Sequence, residues 1–322
     1  MLFRSIGILS IGTYDGILYC YKIWNVPEGC SELPEGVPEG HQGLFARMLF
    51  NFKPHDGSIR SLASSPRYIA SGGYDGTIAI FDMKVMKNIN SLLNHEDCVE
   101  SLQFYKNYYL ISGGADKKIC LWRTSDWSMM KELNGHVGAV TTHAISGTGK
   151  FMLSGGKDGA IRMWDLMHGH NAKTRKIGVI PTFIDFSDDS KMFLLGYDNN
   201  VVVVDGVTEN TVYEFPHEKN VSCHCVYDNT LWVGCVDGHV CAWSLETGES
   251  LGEYVISNDR IKFIQRAKNI IIILTSSGEC KIGLINDKYD IDTVLSWSVN
   301  MRITCGSFLR SEERRVGKEC RS

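Results

Sequence analysis

Proline is scarce in this chain, 7 among 322 residues, and no apolar run is long. The longest isoleucine-rich stretch, Ile270 to Leu274, is five residues, far below the roughly 20 that a bilayer-spanning helix needs. The N-terminal run from Ile6 to Ile11 ends at once on Tyr14-Asp15-Gly16, so it lacks the longer apolar core and cleavage site of a signal peptide. No membrane partner is expected. A basic excess is missing too: net charge is -4 and the pI about 6.2. That argues against a dominant nucleic-acid binder and leaves RNA contact at most indirect. There is no CxxC pair among the 11 cysteines, which excludes a small disulfide framework and reads as reduced, mostly buried thiols of an intracellular protein. Cys223-His224-Cys225 alternates along a strand, so its thiols face away from its imidazole and no zinc site is expected. Gly147-Thr148-Gly149-Lys150 has Ala144 and Phe151 where a phosphate loop needs Gly and Ser or Thr, and reads as a hairpin turn. His168-Gly169-His170 reads as a loop between repeats. No cofactor is implied. A sustained 3.6-residue period is also absent, so almost no helix is expected.

What the chain has is glycine, 32 residues of it, and a pattern that returns. A small, apolar strand runs into a turn with an acid, and a second strand ends on an aromatic. The clear copies run from Ser71 through Asp75 to Phe81, from Ser112 through Asp116 to Trp122, and from Ser154 through Asp158 to Trp164. Weaker copies centre on Asp15, Asp198, Asp237 and Glu279. The turns recur at about 40 residues, with one longer interval of about 60, which is the period of a four-stranded propeller blade of the WD-repeat type. Alternation in Lys118 to Trp122 and Ala160 to Trp164 marks strands, and Asp-Gly tolerates the positive φ of tight turns. Residues 1–309 are therefore expected to form one all-β domain, a seven-bladed WD-repeat β-propeller of four-stranded antiparallel blades.

The long interval holds an insertion over residues 25–43, with Pro-Glu-Gly three times and no basic residue. It reads as an acidic surface loop in blade 1. The sequence opens inside a blade, with Ile6 to Gly12 leading into the Asp15 turn. Strand-like runs at 293–299 and 302–309 are expected as the outer strand of blade 7 and the missing inner strand of blade 1, so N- and C-terminal strands close the ring. Residues 310–322 resemble a translated sequencing-adaptor read and are set aside as an artefact tail.

Histidines stand upstream of each clear copy: His55 before Ser71, His95 before Ser112, His136 before Ser154. A His, Ser, Asp and Trp at this spacing can hydrogen-bond in series, satisfying buried polar groups. The expected structural tetrads are His55/Ser71/Asp75/Phe81, His95/Ser112/Asp116/Trp122 and His136/Ser154/Asp158/Trp164, with His217/Asp237/Trp243 a partial one because Val233 replaces the serine. A catalytic triad is the sharper reading of such a trio, but its recurrence assigns it to the repeat, and no enzyme is expected. The residue before each turn acid should lie on one rim: Tyr14, Tyr74, Ala115, Lys157, Tyr197, Val236 and Gly278, with Arg60 and Glu100 nearby. Tyrosine and arginine are common interface anchors, so Tyr14, Tyr74, Lys157, Tyr197, Arg60 and Glu100 are the candidate partner-binding residues.

The stretches from Tyr68-Ile69-Ala70-Ser71-Gly72 to Ile80-Phe81-Asp82-Met83, from Tyr109-Leu110-Ile111-Ser112-Gly113 to Leu121-Trp122, the preceding Leu102-Gln103-Phe104-Tyr105, and Met301-Arg302-Ile303-Thr304-Cys305 carry a closer likeness. With them the chain resembles the p21-activated kinase-interacting, ribosome-assembly WD-repeat family. The resemblance implies a non-catalytic protein-interaction scaffold, a monomeric propeller within a larger complex. Its partners would be pre-60S ribosome assembly factors in large-subunit biogenesis and rRNA processing, in the nucleolus and nucleus. The alternative it implies is a negative regulator that binds a p21-activated kinase, in the cytoplasm. An enzyme with a site in the propeller channel is the third reading, and no acid, base or metal cluster outside the tetrads points to it.

Overall fold

The computed structural model describes residues 4–26 and 43–311. Its elements are strands, gathered into seven four-stranded antiparallel sheets arranged as the blades of one ring, a seven-bladed β-propeller. No helix among the described residues is long and apolar enough to cross a membrane. In blades 2 to 7 the strands follow in chain order from the channel outward; blade 2 comprises Ile59–Ser64, Tyr68–Gly73, Ile78–Asp82 and Lys87–Leu92. Sequence sets their depth. Second strands are short runs of small or branched apolar residues buried along nearly their whole length, as in Ile270–Thr275, which absorbs the isoleucine run. Outer strands are polar and exposed, as in Lys87–Leu92, where Leu92 alone is buried.

The core lies between neighbouring blades. Trp122 of blade 3 packs with Ile78, Ile80 and Leu92 of blade 2, and each wholly buried aliphatic side chain there contributes about 1.5–3 kcal/mol. The chain ends close the ring: Ile303–Arg310 pairs antiparallel with Arg4–Thr13, Gly12 opposite Cys305 and Gly7 opposite Arg310. Thr304 Oγ1 donates to the carbonyls of Gly12 and Ile59 at 3.0 and 2.6 Å, tying blade 1 to blade 2.

Some expected boundaries move. The outer strand of blade 7 is Ile291–Ser298 rather than 293–299. Arg310, expected in the tail, belongs to the closing strand; the tail from 312 lies outside the described residues, as does 27–42 of the insertion. Asn25, Val26 and Gly43 were expected in that loop but extend the ladder, Val26 opposite Gly43. Blade 7 was read two residues out of register. Gly278, at φ 105°, occupies the place of Gly16, Gly76, Gly159 and Gly238, and its N–H bonds the Thr275 carbonyl as that of Gly76 bonds Gly73. Ser277 therefore stands where the other blades carry the turn acid, Ser276 is the rim residue, and Glu279 opens the next strand. His168-Gly169-His170 joins the third and outer strands of blade 4 rather than two blades.

Six inner strands carry a β-bulge one residue after their start. The ladders skip Arg60, Glu100, Thr141, Ser222 and Lys262, and the closing strand skips Thr304. A bulge re-aims a side chain, and these six stand around one mouth of the channel.

Candidate functional site

In blades 3 and 4 the polar chain is complete. His95 Nδ1 lies 2.9 Å from Asp116 Oδ2, and its Nε2 lies 2.8 Å from Ser112 Oγ, which also accepts the Trp122 indole N–H at 2.9 Å. His136, Asp158, Ser154 and Trp164 repeat this at 3.0, 2.8 and 2.8 Å. In blade 2, His55 reaches Asp75 at 3.2 Å and Ser71 Oγ at 2.9 Å, and Thr77 Oγ1 joins its Nδ1 at 3.0 Å. Phe81 cannot donate, and instead stacks on Phe50 of blade 1 at 4.1 Å. Each serine hydroxyl is enclosed between imidazole and its partners, so the trio fastens a blade rather than facing a substrate. Burial opposes ionisation of Asp116, but hydrogen bonds from His95 and from the Lys118 and Glu96 amides outweigh it and hold the carboxyl below its usual range. Burial likewise opposes a charge on His95, but Asp116 outweighs it and raises the pKa to about 9. Burial wins at His136, whose pKa is lowered; the Arg162 guanidinium, 3.8 Å from Asp158, shares that carboxylate.

The partial tetrad expected over His217, Asp237 and Trp243 does not form. His217 Nδ1 bonds the Phe215 carbonyl at 3.0 Å, while its Nε2 and the Trp243 indole N–H are buried without a hydrogen bond. The reason is Val233, which removes the hydroxyl that would donate to His217 Nε2 and accept from the Trp243 indole N–H; Asp237 instead accepts the His239 amide. A ring nitrogen of His217 and the sulfurs of Cys235 and Cys241 lie within 4.8 Å of one another, all buried. This donor set suits a soft ion. The adjoining Cys235 thiol and burial push the Cys241 thiol up, so an ion would have to displace its proton. Sequence reasoning missed this cluster because Cys235 stands at the turn position that Gly73, Gly114 and Gly156 hold elsewhere. The Cys223 and Cys225 thiols are pushed up to about 12 by burial. His224 between them faces the channel, stacked on Phe183 at 4.0 Å with Nε2 3.0 Å from Asp185.

The rim residues lie beside the bulges. The Tyr74, Ala115, Lys157 and Val236 amides bond the carbonyls of Ser58, Cys98, Ala139 and Asn220, just ahead of the bulged strands. Tyr14 does the same to Arg302 across the closure. Tyr14 and Tyr74 are 57% and 63% exposed, and Lys157 is exposed. Tyr197 departs from this set. Blade 5 turns in a tighter hairpin, with Tyr197 opposite Asn200 in the ladder, and the ring packs half-buried against the cluster around Ile184 and Leu195. Arg60 and Glu100 pair with each other, Nη2 to Oε2 3.0 Å. The channel below holds a cavity of about 440 Å³ lined by Arg60, Glu100, His143, Asp185, His224 and Lys262. At the other end of the ring Met167 and Val207 are 71% and 90% exposed.

Arg60 and Glu100 stand beside the rim as expected; Thr141 and Ser222 join them, and all four follow a repeat histidine by five residues, a spacing that marks the bulge in the sequence. Gly147 to Lys150 is the hairpin turn expected, Gly149 at φ 69° with its N–H on the Ser146 carbonyl.

Comparison with known proteins agrees with this architecture. Residues 46–82, 86–123 and 127–165 match the family described as "WD domain, G-beta repeat". Each match begins on or just before one blade's outer strand and ends one residue past the aromatic of the next blade, and the three are those closing on Phe81, Trp122 and Trp164. A Danio rerio protein named "p21-activated protein kinase-interacting protein 1-like" is 25% identical over 304 residues, 92% of this chain and 79% of that protein. "Shk1 kinase-binding protein 15" of Schizosaccharomyces pombe is 25% identical over 92% of this chain and 82% of its own length. "Protein MAK11" of Saccharomyces cerevisiae is 29% identical over 72% of this chain and 61% of its own. A solved structure, "Structure of U3-55K", superposes with a TM-score of 0.73 at 16% identity, over 80% of this chain and 87% of that one, and shows the fold alone. The chain carries WD repeats, and its similarity to these relatives supports the WD-repeat family of the p21-activated protein kinase-interacting proteins.

Proposed function

We propose that this propeller is a non-catalytic protein-interaction scaffold acting in large ribosomal subunit assembly, in the nucleolus, and that partners dock on the rim bearing Tyr14 and Tyr74. The observation that carries the scaffold reading is how the polar groups are spent. The recurrent His, Ser and Asp side chains are hydrogen-bonded to one another inside the blades, while the rim offers exposed tyrosines beside charged bulge residues. Aromatic anchors with a polar surround make an interface. The assembly role rests on the family resemblance of the sequence. A second reading, binding of a p21-activated kinase, is favoured by the names of two relatives, one kinase-interacting and one kinase-binding. Affinity capture of the tagged chain from cells, followed by mass spectrometry, separates them. Recovery of pre-60S factors supports assembly; recovery of the kinase without them supports the second reading; recovery of neither contradicts both.

A further inference from the structure

The six bulge residues do not share one fate. Three are hydroxyls that lace the blades together: Thr141 donates to the Gly155 and Pro181 carbonyls, Ser222 to Gly234 and Ile261, Thr304 to Gly12 and Ile59. Arg60 and Glu100 cancel across adjacent blades. Lys262 is left. It is half-buried between Ser222 and Thr304, lines both the channel and a second cavity of about 320 Å³ at the mouth, and has no hydrogen bond or ion pair among the described residues. Arg260 lines the same cavity, also without an acidic partner. Arg302, next to the closing strand, lies over the Tyr14 ring at 5.4 Å and has no ion pair. Burial first, then the charges of Arg260, Arg302 and Arg60, lower the pKa of Lys262. Two unneutralised guanidiniums, Arg260 and Arg302, converging on one half-buried ammonium oppose folding, and such a cluster in a cleft is the mark of a site whose counter-ion comes from outside.

We propose that the channel mouth at blades 7 and 1 is an anion-binding site, formed by Arg260, Lys262 and Arg302, that takes an acidic side chain on a segment of a partner protein. This rests on the scaffold reading and names the chemistry of what docks. The surroundings select the occupant. Asp259, Asp15, Asp56 and Asp97 stand exposed on blades 7, 1, 2 and 3 around the mouth, and Asp198 lines its far wall. A phosphate backbone crossing this face would run over those carboxylates, and the chain's net charge of -4 gives it no attraction at long range. A peptide with an acidic centre and basic flanks matches both zones: its acid reaches Lys262 and its cations meet the rim.

The test is fluorescence anisotropy with the full chain and a labelled hexapeptide of two glutamates flanked by lysine pairs, against its glutamine counterpart. The glutamate peptide is expected to bind about tenfold more tightly. Lys262→Met should abolish the difference, Arg260→Gln should reduce it, and Lys87→Ala, exposed on the outer strand of blade 2, should leave it. The thermal midpoint of Lys262→Met should equal or exceed that of wild type, because repulsion is relieved; if that variant fails to fold, exposed Arg260→Gln and Arg302→Gln carry the test. Equal binding of the two peptides, or a preference that survives the Lys262 and arginine substitutions, overturns the proposal. So does a single-stranded RNA oligonucleotide that binds more tightly and is lost with Lys262→Met. If the peptide fails while capture from cells succeeds, the anion site falls and the scaffold stands.

Discussion

Arg60 and Glu100 occupy equivalent bulges on adjacent inner strands and close on each other, Nε and Nη2 of the one within 3.3 Å of the carboxylate of the other. The pair is half exposed on the arginine side, so its contribution to stability is small, about 0–1 kcal/mol. Its consequence is electrostatic: the Glu100 carboxylate offsets Arg60, one of the cations that bear on Lys262. Glu100→Gln should therefore leave the thermal midpoint nearly unchanged and tighten binding of the glutamate peptide about threefold or more. Anisotropy on the variant checks this, and weaker binding would count against it.

The tetrads make a contrast between two turn acids. Asp116 is bonded by His95 and by the Glu96 and Lys118 amides, so Asp116→Ala strands the buried His95 ring and two amides and should cost about 1–3 kcal/mol. Asp237 holds only contacts to His239, and Asp237→Ala should stay within about 0.5 kcal/mol. Urea unfolding of the two variants measures both. Equal losses would mean that turn acids act through the turn alone.

Blade 6 should be improvable. Val233→Thr keeps one methyl and supplies a hydroxyl to the unpartnered His217 Nε2 and Trp243 N–H. A gain of about 1 kcal/mol is expected from satisfying two buried groups, read as a raised urea midpoint at unchanged slope. A lowered midpoint would show that the hydroxyl cannot reach them.

The equivalent histidines of blades 3 and 4 should titrate on opposite sides of their ordinary value of 6.5. His95 is raised in the fold, so the stability it contributes is fully present below pH 6.5 and is lost as pH rises through about 9. His136 is lowered and stays neutral through that window. Imidazole NMR titration reads both directly, and the stability advantage of wild type over His95→Gln should shrink from pH 6.5 to 9. A His95 midpoint below 6.5 would contradict it.

The architecture was legible because each blade repeats the same local bargain of small second strand, acid turn and aromatic close. Where that bargain lapses, the reading slipped. Glu279 is the acid nearest the expected turn, but Gly278 at positive φ shows that Ser277 holds that place. Tyr197 was placed on the rim by register, but a two-residue hairpin tightens blade 5 and turns the ring toward Ile184 and Leu195. His217 kept its place without its serine, and the sulfurs of Cys235 and Cys241 beside it carry no periodic signal. The mouth cations were hidden for another reason: Lys262 and Arg302 stand one blade repeat apart, and the strand that follows Arg302 becomes an inner strand only by pairing with Arg4–Thr13.

The central claim is that partners dock on the rim that carries Tyr14 and Tyr74, and not on the opposite end, where Met167 and Val207 are also exposed. Quantitative affinity capture from cells with wild type, Tyr14→Ala/Tyr74→Ala and Met167→Ser/Val207→Ser tests it most directly, with thermal midpoints checked for all three. The account predicts that the tyrosine variant loses the partner proteins recovered with wild type while folding normally, and that the opposite-end variant keeps them. Retention by the tyrosine variant, with loss from the Met167/Val207 variant, would contradict it.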